Sequence, residues 1–231
     1  MYNVIKFENL GHNRFGWLDA RHHFSFGRYY NPDRMGFKDL RVINDDIVAA
    51  NTGFDPHPHD NMEIITYVRK GAITHKDSMG NEGRTAAGDI QVMSAGTGVT
   101  HSEYNLEDEE TKLYQIWIMP NEQDVAPRWE AKSFPKQEGQ TELSLLVSGD
   151  KNDSDALFIH ADAKIYGGVF KEGQTVTHPI PEAGYLLVSS GEVSLDGQTL
   201  QAGDGVEITK TDHITLAMLS DAEILVINLK N

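Results

Sequence analysis

Short runs rich in Val, Ile, Leu and Tyr recur along the chain, at residues 40–43, 63–68, 90–93, 113–119, 143–147, 185–189, 193–195 and 224–229. Most are bounded by Gly, Asn, Asp or Pro, which close strands and open turns. Apolar positions at helical spacing are nearly absent. Strands at this density, with no helices between them, predict an all-β antiparallel sandwich or barrel.

Two segments repeat in order. Lys70-Gly71-Ala72-Ile73-Thr74 is followed by Ala87-Gly88-Asp89-Ile90-Gln91-Val92. Ser190-Gly191-Glu192-Val193-Ser194 is followed by Ala202-Gly203-Asp204-Gly205-Val206-Glu207-Ile208. Each copy reads as a glycine turn, a strand, a polar turn, then Ala-Gly-Asp and another strand. The pattern predicts a duplicated unit. Between Met119 and Leu143 lie three prolines among polar residues, which suits a linker or an ordered arm and sets a boundary there. The acidic run 107–110 reads as a solvated hairpin tip.

Composition narrows the classes. The 231 residues carry a net charge of −15, which disfavours direct contact with nucleic acid or anionic lipid. A hydrophobic share of 39% is enough for a sizeable core and excludes general disorder. Cysteine is absent, which removes disulfides, thiol nucleophiles, iron–sulfur sites and thiolate zinc sites. The opening residues lack the apolar core of a signal peptide. No apolar run approaches the ~18 residues of a membrane-spanning helix. The expectation is a cytoplasmic protein with no membrane contact.

Ten histidines are present, and four chemistry-bearing residues fall in two tight pairs. His57 and His59 form His-Pro-His; His101 and Glu103 form His-Ser-Glu. Side chains at i and i+2 of a strand share a face. Two such strands brought together offer three imidazoles and one carboxylate. That donor set suits Fe(II), Mn, Ni, Cu or Zn, and open coordination positions would make the site catalytic.

The spacing His57-x-His59-x3-Glu63, followed by Gly98-x2-His101-x3-Asn105, resembles the two-part metal motif of the cupin superfamily. Cupins are small β-barrels whose motif halves flank a hairpin, here about Lys70 to Gly88. Two turn lengths depart from the general pattern, before His57 and after Glu63, and neither involves a ligand. The resemblance narrows further. Gly16-Trp17-Leu18-Asp19-Ala20, His23-Phe24-Ser25-Phe26, Arg41-Val42-Ile43-Asn44-Asp45-Asp46, His57-Pro58-His59, Asp77-Ser78-Met79-Gly80, Met93-Ser94-Ala95-Gly96-Thr97-Gly98 and His101-Ser102-Glu103-Tyr104-Asn105 together resemble the pirin family. The likeness is to its bacterial, quercetin-dioxygenase-like branch, dense over the first ~130 residues and thin beyond. It implies a bicupin of two jelly-roll-type β-barrels in tandem: residues 1–133 as a metal-binding domain, and 134–231 as a degenerate domain without metal. It implies His57, His59, His101 and Glu103 as ligands of one divalent metal, Fe(II) first. The general cupin pattern offers Glu63 as the carboxylate ligand instead. Residues 57, 59 and 63 share a face if the strand is regular; otherwise Glu63 stands behind a ligand histidine.

The remaining histidines read as structural: His22 and His23 beside Phe24 and Phe26, His75 on the hairpin, and His160, His178 and His213 without a partner at i+2. Trp17, Trp117 and Trp129 read as packing residues, and Met62, Ile65, Val92 and Ile116 as cavity walls. Three functions follow. The first is an oxygenase in which a metal ionises a substrate hydroxyl and Glu103 takes the proton. For the family, the implied reaction is insertion of dioxygen across the central ring of a flavonol such as quercetin, with release of carbon monoxide. The second is a redox-sensitive module that binds a protein partner. The third is an isomerase or sugar-binding cupin, which needs a basic pocket. Near the motifs only Arg69, Lys70, Lys76 and Arg84 qualify, and all read as hairpin-bound.

Overall fold

A computed structural model describes residues 1–134 and 140–230. In chain order its strands are β1 (Tyr2–Ile5), β2 (Gly11–Arg14), β3 (Leu18–His22), β4 (Leu40–Val48), β5 (Thr52–His59), β6 (Glu63–Lys70), β7 (Ala72–Asp77) and β8 (Glu82–Ala86). They continue with β9 (Asp89–Ser94), β10 (Val99–Asn105), β11 (Thr111–Ile118), β12 (Arg128–Ser133), β13 (Ser144–Ser148), β14 (Leu157–Phe158), β15 (Ala163–Phe170) and β16 (Thr175–Pro179). The last six are β17 (Ala183–Ser190), β18 (Glu192–Leu195), β19 (Gln198–Gln201), β20 (Gly205–Thr209), β21 (His213–Met218) and β22 (Ala222–Leu229). The helical content among the described residues is one 3-10 turn, Phe7–Asn9. Each expected apolar run lies on a strand, overrunning it by at most one residue. Among the described residues no helix is long and apolar enough to cross a membrane.

The chain forms two compact units, each a pair of antiparallel sheets, so the fold is an all-β bicupin. The first unit comprises Gly11–Phe134 with Leu157–Ala161. Its sheets run β12-β9-β6-β11-β4-β3-β2 and β5-β10-β7-β8. The second comprises residues 1–10, 140–156 and 162–230. Its sheets run β1-β20-β17-β22-β15-β13 and β16-β21-β18-β19.

The division departs from the expected boundary at residue 133 in two places. β1 adds to the edge of the second unit by pairing Tyr2–Ile5 with Gly205–Ile208. Asp204 fixes that strand's exit, accepting from the Phe7 amide at 2.9 Å and the Lys6 ammonium at 2.7 Å. Leu157–Ala161 returns to the first unit, where the Phe158 carbonyl accepts from Arg128. The expected linker begins as an ordered arm, with β12 pairing along β9 as the edge strand of the sheet. The acidic run 107–110 connects β10 to β11, which lie in different sheets, so it is a crossover rather than a hairpin. Asn105 secures it by donating to the carbonyls of Val48, Ala49 and Glu109.

The repeat seen in the sequence is carried by the ladder order. β6-β7-β8-β9-β10-β11 of the first unit corresponds to β17-β18-β19-β20-β21-β22 of the second. The turn glycines coincide: Gly71 has φ +73° and Gly191 φ +80°. A Cβ at Gly71 would lie 2.6 Å from Thr111 Oγ1, and one at Gly191 2.2 Å from the Asp221 carbonyl. Both turns therefore need the left-handed region and the absence of a side chain.

The interiors differ. In the first unit, facing rows place Asn44 opposite Gln115, Gln115 opposite Thr66 and Thr66 opposite Gln91. The same register positions in the second unit hold Tyr166, Val226, Leu186 and Val206. His75, His101 and Glu103 correspond to Leu195, Ile214 and Leu216, while His57 corresponds to His178. Most of these replacements belong to one hydrocarbon cluster. Buried polar groups cost stability unless hydrogen-bonded, and the fold does not require them at these positions. Their presence in the first unit marks a site.

Candidate metal centre

β5 is the edge strand of its sheet, which is why Pro56 and Pro58 are tolerated around His57. His57 and His59 point to one side of it, and β10 brings His101 directly opposite His57. The three imidazoles each offer a donor nitrogen, all within 4.8 Å of one another. Ring centroids are 4.8 Å apart for His57–His59, 4.5 Å for His57–His101 and 5.0 Å for His59–His101.

Hydrogen bonds select which nitrogen faces inward. His57 Nδ1–H donates to the Asp55 carbonyl at 2.7 Å, leaving Nε2 free. His75 Nε2–H donates to Asp77 Oδ2 at 3.1 Å. His75 Nδ1 is therefore an acceptor, and His101 Nδ1–H donates to it at 3.4 Å. His59 and His101 each keep a buried Nε2 with no hydrogen-bond partner. Burial, then the neighbouring imidazoles, pushes His101 down to about 3; burial and His57 push His59 down to about 4. Both rings are neutral near pH 7, the form a metal binds. Orphaned lone pairs on converging neutral imidazoles fit a divalent metal of borderline softness.

Glu103 lies deeper. A bulge between His101 and Glu103 shifts the β5 register, so Glu103 faces Phe54. Its Oε1 accepts from Thr66 Oγ1 at 2.9 Å and Gln91 Nε2 at 2.6 Å, and its Oε2 accepts from Gln115 Nε2. Thr85 in turn holds Gln91 at 2.8 Å. Burial raises the Glu103 carboxyl, against the pull of His75 and these donors. Glu103 shares the cavity with the imidazoles but stands outside their 4.8 Å cluster.

Glu63 is not brought to the imidazoles. The turn at residues 60–62, with Asn61 at φ +43°, breaks the strand between His59 and Glu63 and resets its phase. Ile64 and Thr66 face the cavity side, so Glu63 faces away. There Ser94 Oγ donates to its Oε2 at 2.8 Å. Burial pushes Glu63 up to about 7, opposed by Ser94, the His160 backbone and Arg128.

The centre opens into a cavity of about 350 Å³, within the small-molecule range of about 300–1,000 Å³. Trp17 and Phe54 meet edge to face at 5.0 Å on one flank. Trp117 meets Phe26 at 5.3 Å and His59 at 4.9 Å on another. Trp17 and Trp117, expected as packing residues, thus line the cavity with Ile64, Asn44, Asp46 and Gln115. The expected walls Ile65, Val92 and Ile116 form one cross-strand row on the opposite face of the sheet; Met62 packs beside Ile64 and Trp117 without lining the cavity.

Among the described residues, no lysine or arginine lines this cavity. Lys76 pairs with Glu82, Arg84 with Glu107, Lys70 with Glu109 and Glu110, and Arg69 with Asp45. Of the other histidines, His22 is satisfied by Asn44 and Asn13. His75 is the residue that sequence reasoning missed. It is buried, stacks on Trp129 at 4.9 Å and joins Asp77 to His101. His75 and Asp77 carry the same i, i+2 signal that exposed the ligand pairs.

Known proteins resemble this chain over nearly its whole length. The family described as Pirin matches residues 5–118, and the family described as Quercetinase C-terminal cupin domain matches residues 145–229. A Caulobacter vibrioides pirin-like protein is 50% identical over 224 residues, covering 96% of this chain and 97% of that one. The quercetin 2,3-dioxygenase of Escherichia coli K12 is 42% identical over 232 residues, covering 99% of each. The crystal structure of the bacterial pirin YhhW from Escherichia coli in complex with nickel(II) superposes with a TM-score of 0.92 at 41% identity, covering 99% of each chain. The chain belongs to the pirin family.

Proposed function

We propose that this protein is a metal-dependent dioxygenase that opens the central ring of a flavonol such as quercetin with dioxygen and releases carbon monoxide. One observation carries the reading: three imidazoles converge, with unpartnered Nε2 atoms, on a cavity flanked by aromatic rings. His57, His59 and His101 hold the metal, and Glu103 supplies the carboxylate of the set. Fe(II) is the leading candidate; the nickel(II) complex of the Escherichia coli relative makes nickel the natural second. A divalent ion held there supplies the positive charge that ionises a substrate hydroxyl and the open positions that bring reactants together.

The chain's own residues do the rest. The edge-to-face aromatic pairs bind the flat rings and exclude water. Glu103 Oε1 takes two donors and Oε2 one, so Oε2 keeps a lone pair for the hydroxyl proton. Burial raises its proton affinity and makes it the stronger base. Thr66, Gln91 and Gln115 fix its orientation. Among the described residues the lining carries neither Lys nor Arg, which disfavours an anionic sugar or nucleotide as substrate.

The test is flavonol depletion by protein stripped of metal and reloaded separately with Fe(II), Mn, Ni and Cu. Turnover that returns with metal supports the reading. Full metal occupancy without turnover on any flavonol removes it and favours a redox-sensitive protein-binding role.

A further inference from the structure

We propose that Asp46 determines specificity by hydrogen-bonding a second oxygen of the substrate, from the sheet that faces the imidazoles. The inference rests on the aromatic-substrate reading above and names its class: an aromatic with one oxygen for the imidazole side and a neighbouring oxygen for the Asp46 side.

Asp46 lies on β4, in the sheet opposite the His-bearing strands. It is 2% exposed, lines the cavity, and its Oδ1 has no hydrogen-bond partner. The polar groups around it are engaged: Asn44 Oδ1 with His22, Gln115 with Glu103, and Glu103 with three donors. The Nδ1 atoms of His57 and His101 are engaged as well. Burial, then the charges of Asp45 and Glu103, holds the Asp46 carboxyl well above the usual carboxylate range, with Arg69 opposing.

The fold does not need this side chain. Asp46 pairs in register with Leu113, and the corresponding position of the second unit, opposite Ile224, is Gly168. A buried carboxyl with an unmet oxygen is costly to keep, and such a group in a cavity marks a site for a ligand atom.

The experiment uses nickel-loaded full-length protein as wild type, Asp46→Asn and Asp46→Leu, titrated with 3-hydroxyflavone by absorbance. Asp46→Leu is expected to bind about tenfold more weakly, equivalent to about 1.4 kcal/mol. Asp46→Asn, whose amide still hydrogen-bonds, stays within about threefold, or about 0.7 kcal/mol. Nickel content stays equal, and the metal-free variants melt at or above the wild-type temperature because the unmet carboxyl is gone. Leu binding as well as wild type, Asn failing as badly as Leu, nickel loss, or lower melting of both variants would each overturn the proposal. So would wild type that does not bind 3-hydroxyflavone. Oxygen uptake on the same samples separates the two readings. Asp46-dependent binding without turnover removes the dioxygenase reading and leaves this one. Turnover with no dependence on Asp46 does the reverse.

Discussion

His75→Leu isolates the hydrogen bond behind the metal centre. Leucine is what the second unit carries at the corresponding position, Leu195, in an otherwise matching ladder. The change removes one acceptor, His75 Nδ1, and with it the 3.4 Å bond from His101. Asp77 is not orphaned. It still accepts from the Met79 and Asn81 amides at 2.9 and 3.0 Å and from Asn81 Nδ2 at 2.9 Å. Trp129 keeps an apolar neighbour. A neutral hydrogen bond contributes about 0.5–1.5 kcal/mol net, and His101 also loses the partner that fixes its tautomer. Together these should weaken nickel binding by about 10–100-fold, the usual scale for a lost partner of a ligand histidine. Removing the imidazole leaves the buried His101 Nδ1–H unpaired, which should cost the metal-free protein about 1–3 kcal/mol. Competition against a chromophoric chelator gives the affinity, and thermal melting of the metal-free protein gives the control. Wild-type nickel affinity in a variant that still folds would refute the chain from Asp77 through His75 to His101.

Glu63→Gln tests the second buried carboxyl. The folded value of about 7 exceeds the ordinary 4.5, so the native state binds the extra proton. The stabilisation, about 3 kcal/mol at most, is fully present below pH 4.5 and lost as pH rises through 7. The glutamine variant should flatten that fall and melt higher than wild type at pH 8; an unchanged pH profile would contradict the assignment. Glu103→Gln should weaken nickel binding at least tenfold, equivalent to about 1.4 kcal/mol, whereas Glu63→Gln should change it less than twofold. The reverse order, measured by the same competition, would return the carboxylate role to Glu63.

What was legible in the sequence follows strand geometry. His57, His59 and His101 declared themselves because i and i+2 share a face whatever the strand's partners are. Glu63 shared that parity on paper, but the turn at Asn61 interrupts the count, and parity survives only within one strand. Ile65, Val92 and Ile116 are correctly one row, yet alternation alone cannot say which face of a sheet is the inside; the answer lies in Thr66, Gln91 and Gln115, the polar residues between them. His75 was hidden because its role depends on β7 lying beside β10 in register. β1 was hidden for the same reason, its partner β20 being some 200 positions away in the chain. Asp46 follows Asp45 directly in the sequence, and only the alternation of β4 sends Asp45 to Arg69 on one face of the sheet and Asp46 to the cavity on the other.

The central claim is metal-dependent ring opening at the three-histidine centre. Simultaneous recording of oxygen uptake and carbon monoxide release on quercetin, with metal-loaded wild type beside His101→Ala, tests it most directly. The account expects one carbon monoxide released for each dioxygen consumed by wild type, and neither gas exchanged by the variant together with loss of its metal. Equal gas exchange by the variant, or full metal occupancy in it, would contradict the account.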